Sequence, residues 1–327
     1  MAKEPKTCLI TGITGQDGAY LAQFLLAQGY DVIGLLAEEH THSLGRLAVL
    51  GFADKVRCVS CRLTDSEALK RVLLAERPQE IYNLAAFSSV GASFQEPVQC
   101  LHFNVLSVAA LLEAVRAVHF PVRVYQASSS EMFGNTASAA HEATPLNPIS
   151  PYAVSKVAGH LLIRNYRAAH HMYCCSGILF NHESVLRPEH FVTKKILSTA
   201  VRIARGSREP LRLGNIAVKR DWGYAPEYVK AMWLMLQQPD PEDFVIASGV
   251  PHSIEDFVDQ VFRELGLDWH QHVQSDPSLY RAADIAVTLG DPARARKIMG
   301  WNYALSLPDL VKKLVADELR AQAAGSV

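Results

Sequence analysis

The chain has 327 residues, of which 49% are hydrophobic, and a formal net charge of −1. This length and composition predict one large domain, or two interlocked ones, with a full hydrophobic core, and they exclude bulk disorder. The near-zero charge, without a long basic run, argues against nucleic acid as the main partner, because neutralising phosphates requires clustered Lys and Arg.

The N-terminal segment and the apolar runs of the chain are not typical of an exported or membrane-spanning protein. The start of the chain, Met1 to Lys6, lacks the apolar core of a signal peptide, and no apolar run approaches the roughly 20 residues of a membrane span. We therefore expect a cytoplasmic protein with no membrane partner.

Cys58 and Cys61 form one C-x-x-C pair without a second ligand pair, so we expect buried reduced thiols and no metal site.

Strand-like apolar runs alternate with helix-period segments through the first 180 residues. The predicted strands are Cys8–Ile10, Asp31–Leu36, Val56–Ser60, Glu80–Leu84, Arg123–Ala127 and Cys174–Leu179. The predicted helices are Ala19–Gln28, Ser66–Glu76, Val105–Val118 and Ser155–Ala169. This alternation predicts a Rossmann-type α/β fold, a doubly wound parallel sheet with helices on both faces.

The alternation of predicted strands and helices becomes less regular after residue 180. Further helices are predicted at Phe191–Arg205, Ala225–Gln237, Ile254–Leu265, Pro292–Met299 and Pro308–Ala324, joined by loops that contain Pro and Gly. We expect a dinucleotide-binding domain over residues 1–180 and a smaller α/β substrate-binding part over residues 181–327. The smaller part is expected to cover the carboxyl edge of the sheet, where open α/β sheets bind ligands.

A glycine-rich turn, Thr11 to Gly18, follows the first predicted strand and precedes the first predicted helix. Its spacing is G-x-x-G-x-x-G, with glycines at Gly12, Gly15 and Gly18. Glycines allow a sharp bend and a close approach to a pyrophosphate, which the N-terminus of the following helix attracts. The turn therefore predicts a dinucleotide site, although tight glycine turns also serve purely structural purposes.

A Tyr-x-x-x-Lys pair lies on the helix predicted after the fifth strand. Residues four apart share a helix face, which places Lys156 beside Tyr152 and the cofactor ribose. A nearby cation favours the phenolate, so we expect Tyr152 to act as an acid or base at neutral pH. A Tyr-x-x-x-Lys pair also occurs by chance on exposed helices, and the glycine turn upstream favours the functional interpretation.

A third polar stretch, Gln126 to Glu131, follows the fifth predicted strand, whose carboxyl end points to the ligand crevice. Hydroxyl groups there can bind a sugar oxygen beside Tyr152, and the Glu131 carboxylate can serve as a base. The stretch also fits a Ser-rich helix cap with Glu131 as the capping partner.

Longer phrases carry a family resemblance. They are Thr11–Gly18, Tyr125–Gly134, Ser150–Tyr152, Gly177–Ser184, Phe191–Lys195, Lys219–Gly223 and Ala231–Gln238. Together they resemble the GDP-mannose 4,6-dehydratases, extended short-chain dehydrogenase/reductases, almost from end to end. The phrases Gly-Ile-Leu-Phe-Asn-His-Glu-Ser and Lys-Arg-Asp-Trp-Gly are the most diagnostic, since they are typical of this nucleotide-sugar branch.

The resemblance implies a lyase with no net redox change. Tyr152 would take the proton of the sugar C4 hydroxyl while the C4 hydride moves to the cofactor, with Lys156 and Ser129 holding the reacting oxygens. Glu131 would remove the C5 proton, water would leave from C6, and the hydride would return to C6. Ser130 stands where dehydratases of deoxythymidine-linked sugars carry an acidic proton donor. The GDP-mannose family has serine at this position, as this chain does.

The same resemblance assigns ligand contacts. The implied cofactor residues are Gly12, Thr14, Gly15, Gln16, Asp17, Gly18, Glu38, Arg62, Leu63, Leu84, Ala85, Ala86, Ser88, Tyr152, Lys156, His182 and Arg187. The implied substrate residues are Ser88, Glu131, Asn181, Val192, Lys195, Leu213, Gly214, Arg220 and Arg281. Arg and Lys suit a pyrophosphate because they form charge-assisted hydrogen bonds with it.

The cofactor contacts depart from the family. The family places an arginine pair after the second strand to hold the 2′-phosphate of NADP, whereas this chain has Glu38 and Glu39. An acidic side chain there accepts hydrogen bonds from a free ribose hydroxyl and repels a phosphate. We therefore expect NAD, or a weakened preference for NADP. Arg62 replaces a family Asp at the adenine and can instead reach the 2′-phosphate.

The sugar pocket departs too. Phe87, Ile149 and Pro188 replace the family's Gln, Arg and Gly, and the segment from Arg281 to Ala286 keeps the first Arg but shortens or loses the acids. These changes leave a GDP-heptose 4,6-dehydratase as one alternative. A reductase or epimerase of GDP-4-keto-6-deoxy sugars is a second, and a catalytically silent dinucleotide-binding module is a third. The family also implies a homodimer or homotetramer, with subunits meeting near Glu38 to Gly45.

Overall fold

A computed structural model describes residues 5–37, 44–280 and 284–323 of the chain. The strands within these ranges are β1 (Thr7–Thr11), β2 (Asp31–Leu36), β3 (Arg57–Ser60), β4 (Glu80–Asn83), β5 (Arg123–Ser129), β6 (Cys174–Leu179), β7 (Asn181–Glu183), β8 (Leu211–Leu213), β9 (Lys219–Tyr224), β10 (Phe244–Ile246), β11 (Pro251–Ser253) and β12 (Val273–Ser275).

The helices within the same ranges are α1 (Gln16–Ala27), α2 (Gly45–Val49), α3 (Ser66–Glu76), α4 (Val90–Gln95), α5 (Pro97–Arg116), α6 (Pro151–His170), α7 (Val192–Ala204), α8 (Ala225–Gln237), α9 (Ile254–Glu264), α10 (Ala293–Met299) and α11 (Leu307–Ala323).

Seven parallel strands form the main sheet, in the order β10-β6-β5-β4-β1-β2-β3. Buried residues of α1 and α8 form one hydrophobic cluster against the sheet, and residues of α3, α5 and α6 form another. Both faces are therefore covered by helices, as buried parallel sheets require. The predicted doubly wound α/β fold is confirmed.

The seventh strand was not predicted. β10 has only three residues, Phe244–Ile246, and pairs with β6 at the edge of the sheet, far beyond residue 180 in the chain. Helix α5 begins at Pro97, well before the predicted Val105, with proline in its first turn, a position that suits helix starts.

The C-terminal residues build a smaller layer with its own core. Helices α7, α9 and α11 pack around Trp222 of β9, and two small sheets, β11-β9-β7 and β12-β8, accompany them. Within this core the Lys194 ammonium lies 2.5 Å from the Glu318 carboxylate, and both side chains are fully buried. This ion pair joins α11 to α7.

Helix α5 has the length and apolar composition of a membrane span, although half of its most apolar stretch is buried inside the fold. It packs against α6 and α3 as a core helix. The expectation that the chain has no such apolar run was therefore wrong for this segment. All six cysteines are free thiols, and Cys58 alone among them is partly exposed.

Candidate active site

A cavity of about 1050 Å³ opens at the carboxyl ends of the central strands. Its walls include Gly12 after β1, Leu84 after β4, Ser129 at the end of β5 and Leu179 at the end of β6. Because parallel strands all end at one edge, residues far apart in the sequence meet there. Residues of α7, β8 and β9 form the opposite wall.

The glycine turn forms one end of the cavity. Gly12 has φ +70°, and a Cβ on it would lie 2.8 Å from the backbone nitrogen of Ala85. A Cβ on Gly18 would lie 2.3 Å from the carbonyl oxygen of Gly12. Within the described residues no side chain caps the N-terminus of α1, where Gly15 is the N-cap. The N-terminus of α1 therefore faces the cavity as a site for an anion.

The first residues of α1 are bonded to β7. The Gln16 amide donates to the carbonyl of His182 at 3.1 Å, and the Ser184 hydroxyl donates to the Gln16 amide oxygen at 2.8 Å. Asp17 Oδ2 lies 2.9 Å from His182 Nε2. The ion pair holds the pKa of Asp17 at about 2, although burial opposes this shift.

Ser129 lies between the two groups predicted to carry proton transfer. Its hydroxyl accepts the backbone N–H of Glu131 at 3.3 Å and is close enough to the Tyr152 hydroxyl to lower the pKa of that group. It is also the N-cap of a single 3₁₀ turn, Ser130–Phe133. The capping interpretation and the functional one thus both apply to this stretch, with Ser129 rather than Glu131 as the capping side chain.

A buried ladder of side-chain hydrogen bonds crosses the sheet to the neighbourhood of Lys156. The Thr11 hydroxyl donates to Asn83 Oδ1 at 2.6 Å, and Asn83 Nδ2 donates to Gln126 Oε1 at 2.7 Å. Gln126 Nε2 then donates to the carbonyl of Ala127 at 3.0 Å. The Lys156 ammonium donates to the same carbonyl at 3.0 Å.

The electrostatics of Tyr152 differ from the sequence-based expectation. Burial raises the pKa of Tyr152, and the hydrogen bond from Ser129 opposes this rise only in part. Burial lowers the pKa of Lys156 to about 8, and its ammonium lies 5.6 Å from the centre of the Tyr152 ring. Burial disfavours the charged form of both groups, and so it opposes the predicted effect of Lys156, which is to favour the phenolate of Tyr152.

Basic side chains gather at the other end of the cavity. Lys195 of α7, Arg212 of β8 and Arg220 of β9 line it there. The Arg220 guanidinium is bonded to Asp284 at 2.7 Å and to the carbonyl of Ile285 at 2.6 Å. This end suits an anionic group, since three cations outnumber the single carboxylate of Asp284 among these residues.

Comparisons with known proteins agree over almost the whole chain. The family model for GDP-mannose 4,6 dehydratase matches residues 9–314. GDP-mannose 4,6 dehydratase 1 of Arabidopsis thaliana is 42% identical over 98% of this chain and 91% of its own length. The GDP-mannose 4,6-dehydratase of Vibrio cholerae serotype O1 is 40% identical over 96% and 94%.

The chain belongs to the GDP-mannose 4,6-dehydratase family.

Solved structures agree on the fold. A dTDP-glucose 4,6-dehydratase, DesIV of Streptomyces venezuelae, solved with NAD bound, superposes with a TM-score of 0.86 over 97% of this chain and 98% of its own, at 22% identity. RMD of Pseudomonas aeruginosa, complexed with NADPH, reaches 0.81 over 98% and 99% at 20% identity. At these identities the likeness concerns the Rossmann-type fold alone.

In this dehydratase, nearly all site residues predicted from the sequence line the one cavity. Those at the glycine turn and the strand ends are Gly12, Thr14, Gly15, Gln16, Asp17, Gly18, Leu63, Leu84, Ala85, Ala86, Ser88, Ser129, Ser130, Glu131, Tyr152 and Lys156. Those of the opposite wall are Asn181, His182, Arg187, Val192, Lys195, Leu213, Gly214 and Arg220. Glu38 and Arg281 lie outside the described residues.

Arg62 is the predicted site residue that the structure places elsewhere. It lines a smaller cavity of about 380 Å³ at the start of α3, together with Arg71. The sugar-pocket substitutions also separate: Pro188 lines the main cavity, whereas Phe87 and Ile149 are not among its described lining residues. The argument for a heptose pocket therefore loses two of its three residues.

Two basic residues of the cavity were missed. Arg46 of α2 donates from Nη1 to the carbonyl of Thr14 at 2.8 Å and from Nε to the carbonyl of Leu186 at 2.9 Å, joining the glycine turn to the opposite wall. Arg212 was missed because it stands in a three-residue strand. A single arginine carries no signal in a sequence, and the glycines and the Tyr-x-x-x-Lys pair do.

Proposed function

We propose that the chain converts GDP-mannose into GDP-4-keto-6-deoxymannose with loss of one water. The observation that carries this proposal is the convergence of Ser129, Glu131, Tyr152 and Lys156 in one cavity with the glycine turn. Family membership supplies the substrate class, and the cavity supplies a base, a hydroxyl relay and an anion site.

A nicotinamide dinucleotide fits the residues at the glycine end. The close packing around Gly12 and Gly18 leaves no room for a Cβ and brings the backbone up to the cavity. Such a cofactor, when bound, supplies a hydride acceptor that later returns the hydride, so the reaction needs no external reductant. We assign its pyrophosphate to the N-terminus of α1 and its remaining contacts to the cofactor residues predicted above that line the cavity.

Tyr152 handles the proton of the substrate C4 hydroxyl. Ser129 is close enough to lower the pKa of the Tyr152 hydroxyl, so we assign both hydroxyl groups to the same sugar oxygen, with a proton able to pass between them. Burial raises the pKa of Tyr152, and Lys156 keeps a positive charge nearby only while it is protonated. The ammonium therefore has to be present for Tyr152 to act as a base.

Glu131 serves as the base at C5. Once C4 is a ketone, the neighbouring C5 hydrogen becomes acidic, and the Glu131 carboxylate can remove it. The carboxylic acid so formed gives this proton to the C6 hydroxyl, which leaves as water with the electrons of the C6–O bond. The proton taken from the C4 hydroxyl is then available to restore the hydrogen at C5. The Ser129 hydroxyl accepts the backbone N–H of Glu131 at 3.3 Å, which holds the backbone of Glu131 at the end of β5, and the Glu131 carboxylate is close enough to raise the pKa of Tyr152. Lys195, Arg212 and Arg220 bind the pyrophosphate of the GDP group at the far end of the cavity.

We propose NAD rather than NADP as the cofactor. Support comes from Glu38 and Glu39, which replace the family's arginine pair, and from the position of Arg62 in the separate, smaller cavity. Fluorescence titration of the purified chain with NADH and NADPH at equal concentrations tests this choice. Tighter binding of NADPH would contradict it.

We also infer a cytoplasmic homodimer or homotetramer. Apolar side chains are exposed on α5 and α6, where Val98 is 78% exposed, Leu161 is 47% exposed and Val154 is 45% exposed. Such a surface is typical of a subunit contact. Sedimentation equilibrium of the wild-type chain, with a Val98→Lys variant for comparison, measures the oligomeric state, and a wild-type monomer would contradict the inference.

Internal hydride transfer distinguishes the dehydratase from a reductase or epimerase. With GDP-mannose deuterated at C4 and no added NAD(P)H, the proposal predicts that the deuterium appears at C6 of the product. Nuclear magnetic resonance of the product locates the label. Unchanged GDP-mannose, together with consumption of NAD(P)H when a GDP-4-keto-6-deoxy sugar is supplied, would favour the reductase instead. Conversion of a GDP-heptose much faster than GDP-mannose would favour the heptose enzyme.

A further inference from the structure

Both ring nitrogens of His182 face hydrogen-bond acceptors. Nδ1 lies 2.7 Å from the carbonyl oxygen of Phe180, and Nε2 lies 2.9 Å from Asp17 Oδ2. A carbonyl oxygen cannot donate, so Nδ1 must carry a hydrogen. A second proton must then lie between Nε2 and the carboxylate, because two lone pairs would otherwise face each other at 2.9 Å.

The surroundings place this second proton on His182. Gln16 Nε2 donates to the other oxygen of Asp17 at 3.0 Å, which favours the carboxylate form. Asp17 raises the pKa of His182 in spite of the opposing effect of burial, while the same pair lowers the pKa of Asp17 to about 2. Arg187 opposes protonation of the ring, and its effect is smaller than that of Asp17.

The His182 ring is fixed by its neighbours. It stacks on the Tyr228 ring of α8, with centroids 4.7 Å apart and an interplanar angle of 20°. The imidazole is buried, and both of its nitrogens are engaged within the protein. The ring therefore acts on a ligand through Asp17 and the first turn of α1, and not by its own hydrogen bonds.

We propose that His182 is a positioning residue that, as an imidazolium, holds Asp17 and the N-terminus of α1 in the geometry that binds the dinucleotide pyrophosphate. The ligand named here rests on the proposed function. The imidazolium joins α1 to β7 alongside the two hydrogen bonds of Gln16. Loss of its proton would turn a lone pair towards the Asp17 carboxylate and loosen this junction.

Substitution separates this role from simple packing. His182→Phe keeps a flat ring against Tyr228 and removes both hydrogen bonds, and we expect dinucleotide affinity to fall on the order of 10- to 100-fold. His160→Phe is the matched control, because His160 is also buried and its Nδ1 has no partner among the described residues. Calorimetric titration with NADH and NADPH measures both variants, with thermal melts to verify folding.

A double-mutant cycle adds a stricter criterion. If His182 acts through Asp17, then adding Asp17→Asn to the His182→Phe variant causes little further loss of affinity. The affinity of the wild type is also expected to fall as pH rises through the pKa of His182. His182→Phe should lack this part of the pH dependence and keep the part that arises from Lys156. Equal affinity in His182→Phe and the wild type, or fully additive losses, would overturn the proposal.

The protonation state can be measured without any ligand. Nitrogen-15 spectra of histidine-labelled wild-type chain, assigned with His182→Phe and followed across pH, are expected to show that both ring nitrogens of His182 stay protonated to a higher pH than in a free imidazole. His160 is expected to become neutral at a lower pH than a free imidazole, since burial lowers its pKa. A His182 that loses its second proton at or below the pH at which a free imidazole does would overturn the proposal. Failure of the wild type to bind either dinucleotide would instead overturn the proposed function.

Discussion

The side-chain nitrogen of Lys156 lies 3.0 Å from the carbonyl oxygen of Ala127, the residue of β5 that directly precedes the Ser-Ser-Ser-Glu stretch. That carbonyl lies beyond the last residue pair of β4 and β5, Asn83 with Gln126, so side chains take the place of a strand partner. Gln126 supplies the second donor, and Asn83 and Thr11 orient Gln126 in turn. The hydrogen bonds that position Lys156, the proposed partner of Tyr152, thus start from Thr11 of β1, the strand that precedes the glycine turn.

We predict that Gln126→Leu lowers kcat about tenfold and leaves KM for GDP-mannose nearly unchanged, because Lys156 then lies against a less firmly oriented carbonyl. Asn83→Asp should have a similar effect, since an aspartate accepts from Thr11 but cannot donate to Gln126. Tyr82→Phe is the control: it removes a buried hydrogen bond to Glu80 on the same strand. Steady-state kinetics showing equal losses in all three variants would contradict a specific role for the ladder.

Lys156→Met should abolish activity and stabilise the fold. Burial lowers the pKa of Lys156 to about 8, so at pH 7 the folded chain holds an ammonium in a place that disfavours it. We expect the free energy of unfolding to rise by about 1–3 kcal/mol at pH 7. The sign follows because a lysine with a lowered folded-state pKa destabilises the fold at low pH, and this cost fades between the folded-state value and the ordinary value near 10.4.

Urea unfolding at pH 7 and pH 10 measures this effect. The wild type should gain stability relative to Lys156→Met between the two values, and a less stable variant at pH 7 would contradict the prediction. The same lowered pKa predicts that kcat/KM falls above pH 8, and that Lys156→Arg moves this fall to higher pH.

Gly18→Ala is expected to destroy dinucleotide binding. Its Cβ would lie 2.3 Å from the carbonyl oxygen of Gly12 and 2.5 Å from Cα of Ile13, both parts of the backbone that cannot move aside independently. Gly45→Ala is the control, because Gly45 lies in α2 with no atom within 4 Å of the added carbon. Titration with NADH should distinguish the two, and an unaffected Gly18→Ala variant would contradict the assignment of the turn.

The buried ion pair of α7 and α11 predicts a large stability effect. Glu318→Gln leaves the Lys194 ammonium buried opposite a neutral group, at a cost of about 3–5 kcal/mol. The double variant Lys194→Met with Glu318→Leu should recover most of this loss, because no charge remains to be buried. Thermal unfolding compares the two, and a double variant as unstable as Glu318→Gln would contradict the explanation.

The sequence predicts the nucleotide half of the fold well. The first six strands of the main sheet alternate clearly with helices, because each strand is a buried apolar run and each crossover needs a helix. β10 could not be predicted in this way, because its three residues, Phe244–Ile246, are too few to show an alternation of apolar and polar side chains. They form a strand because they pair with β6, which is distant in the sequence. β7 escapes for a different reason, since Asn181, His182 and Glu183 are polar residues placed by function.

The candidate site divides in the same way. Two parts of the site can be recognised from the sequence alone. Gly12 belongs to a glycine pattern with fixed spacing, and Tyr152 and Lys156 stand four residues apart, as neighbours on one helix face do. Asn83 and Gln126 give no such sequence signal, because a polar residue at the end of an apolar run is also what the end of a strand predicts. Their role emerges only when the parallel register places them side by side.

The most direct test of the central claim is incubation of the purified chain with GDP-mannose, without added reductant, followed by mass spectrometry of the nucleotide sugar. The wild type and Glu209→Gln, an exposed surface control, should both yield a product lighter by one water, with no net change in cofactor. Glu131→Gln should yield none. Unchanged GDP-mannose in the wild type, or undiminished water loss in Glu131→Gln, would contradict the account.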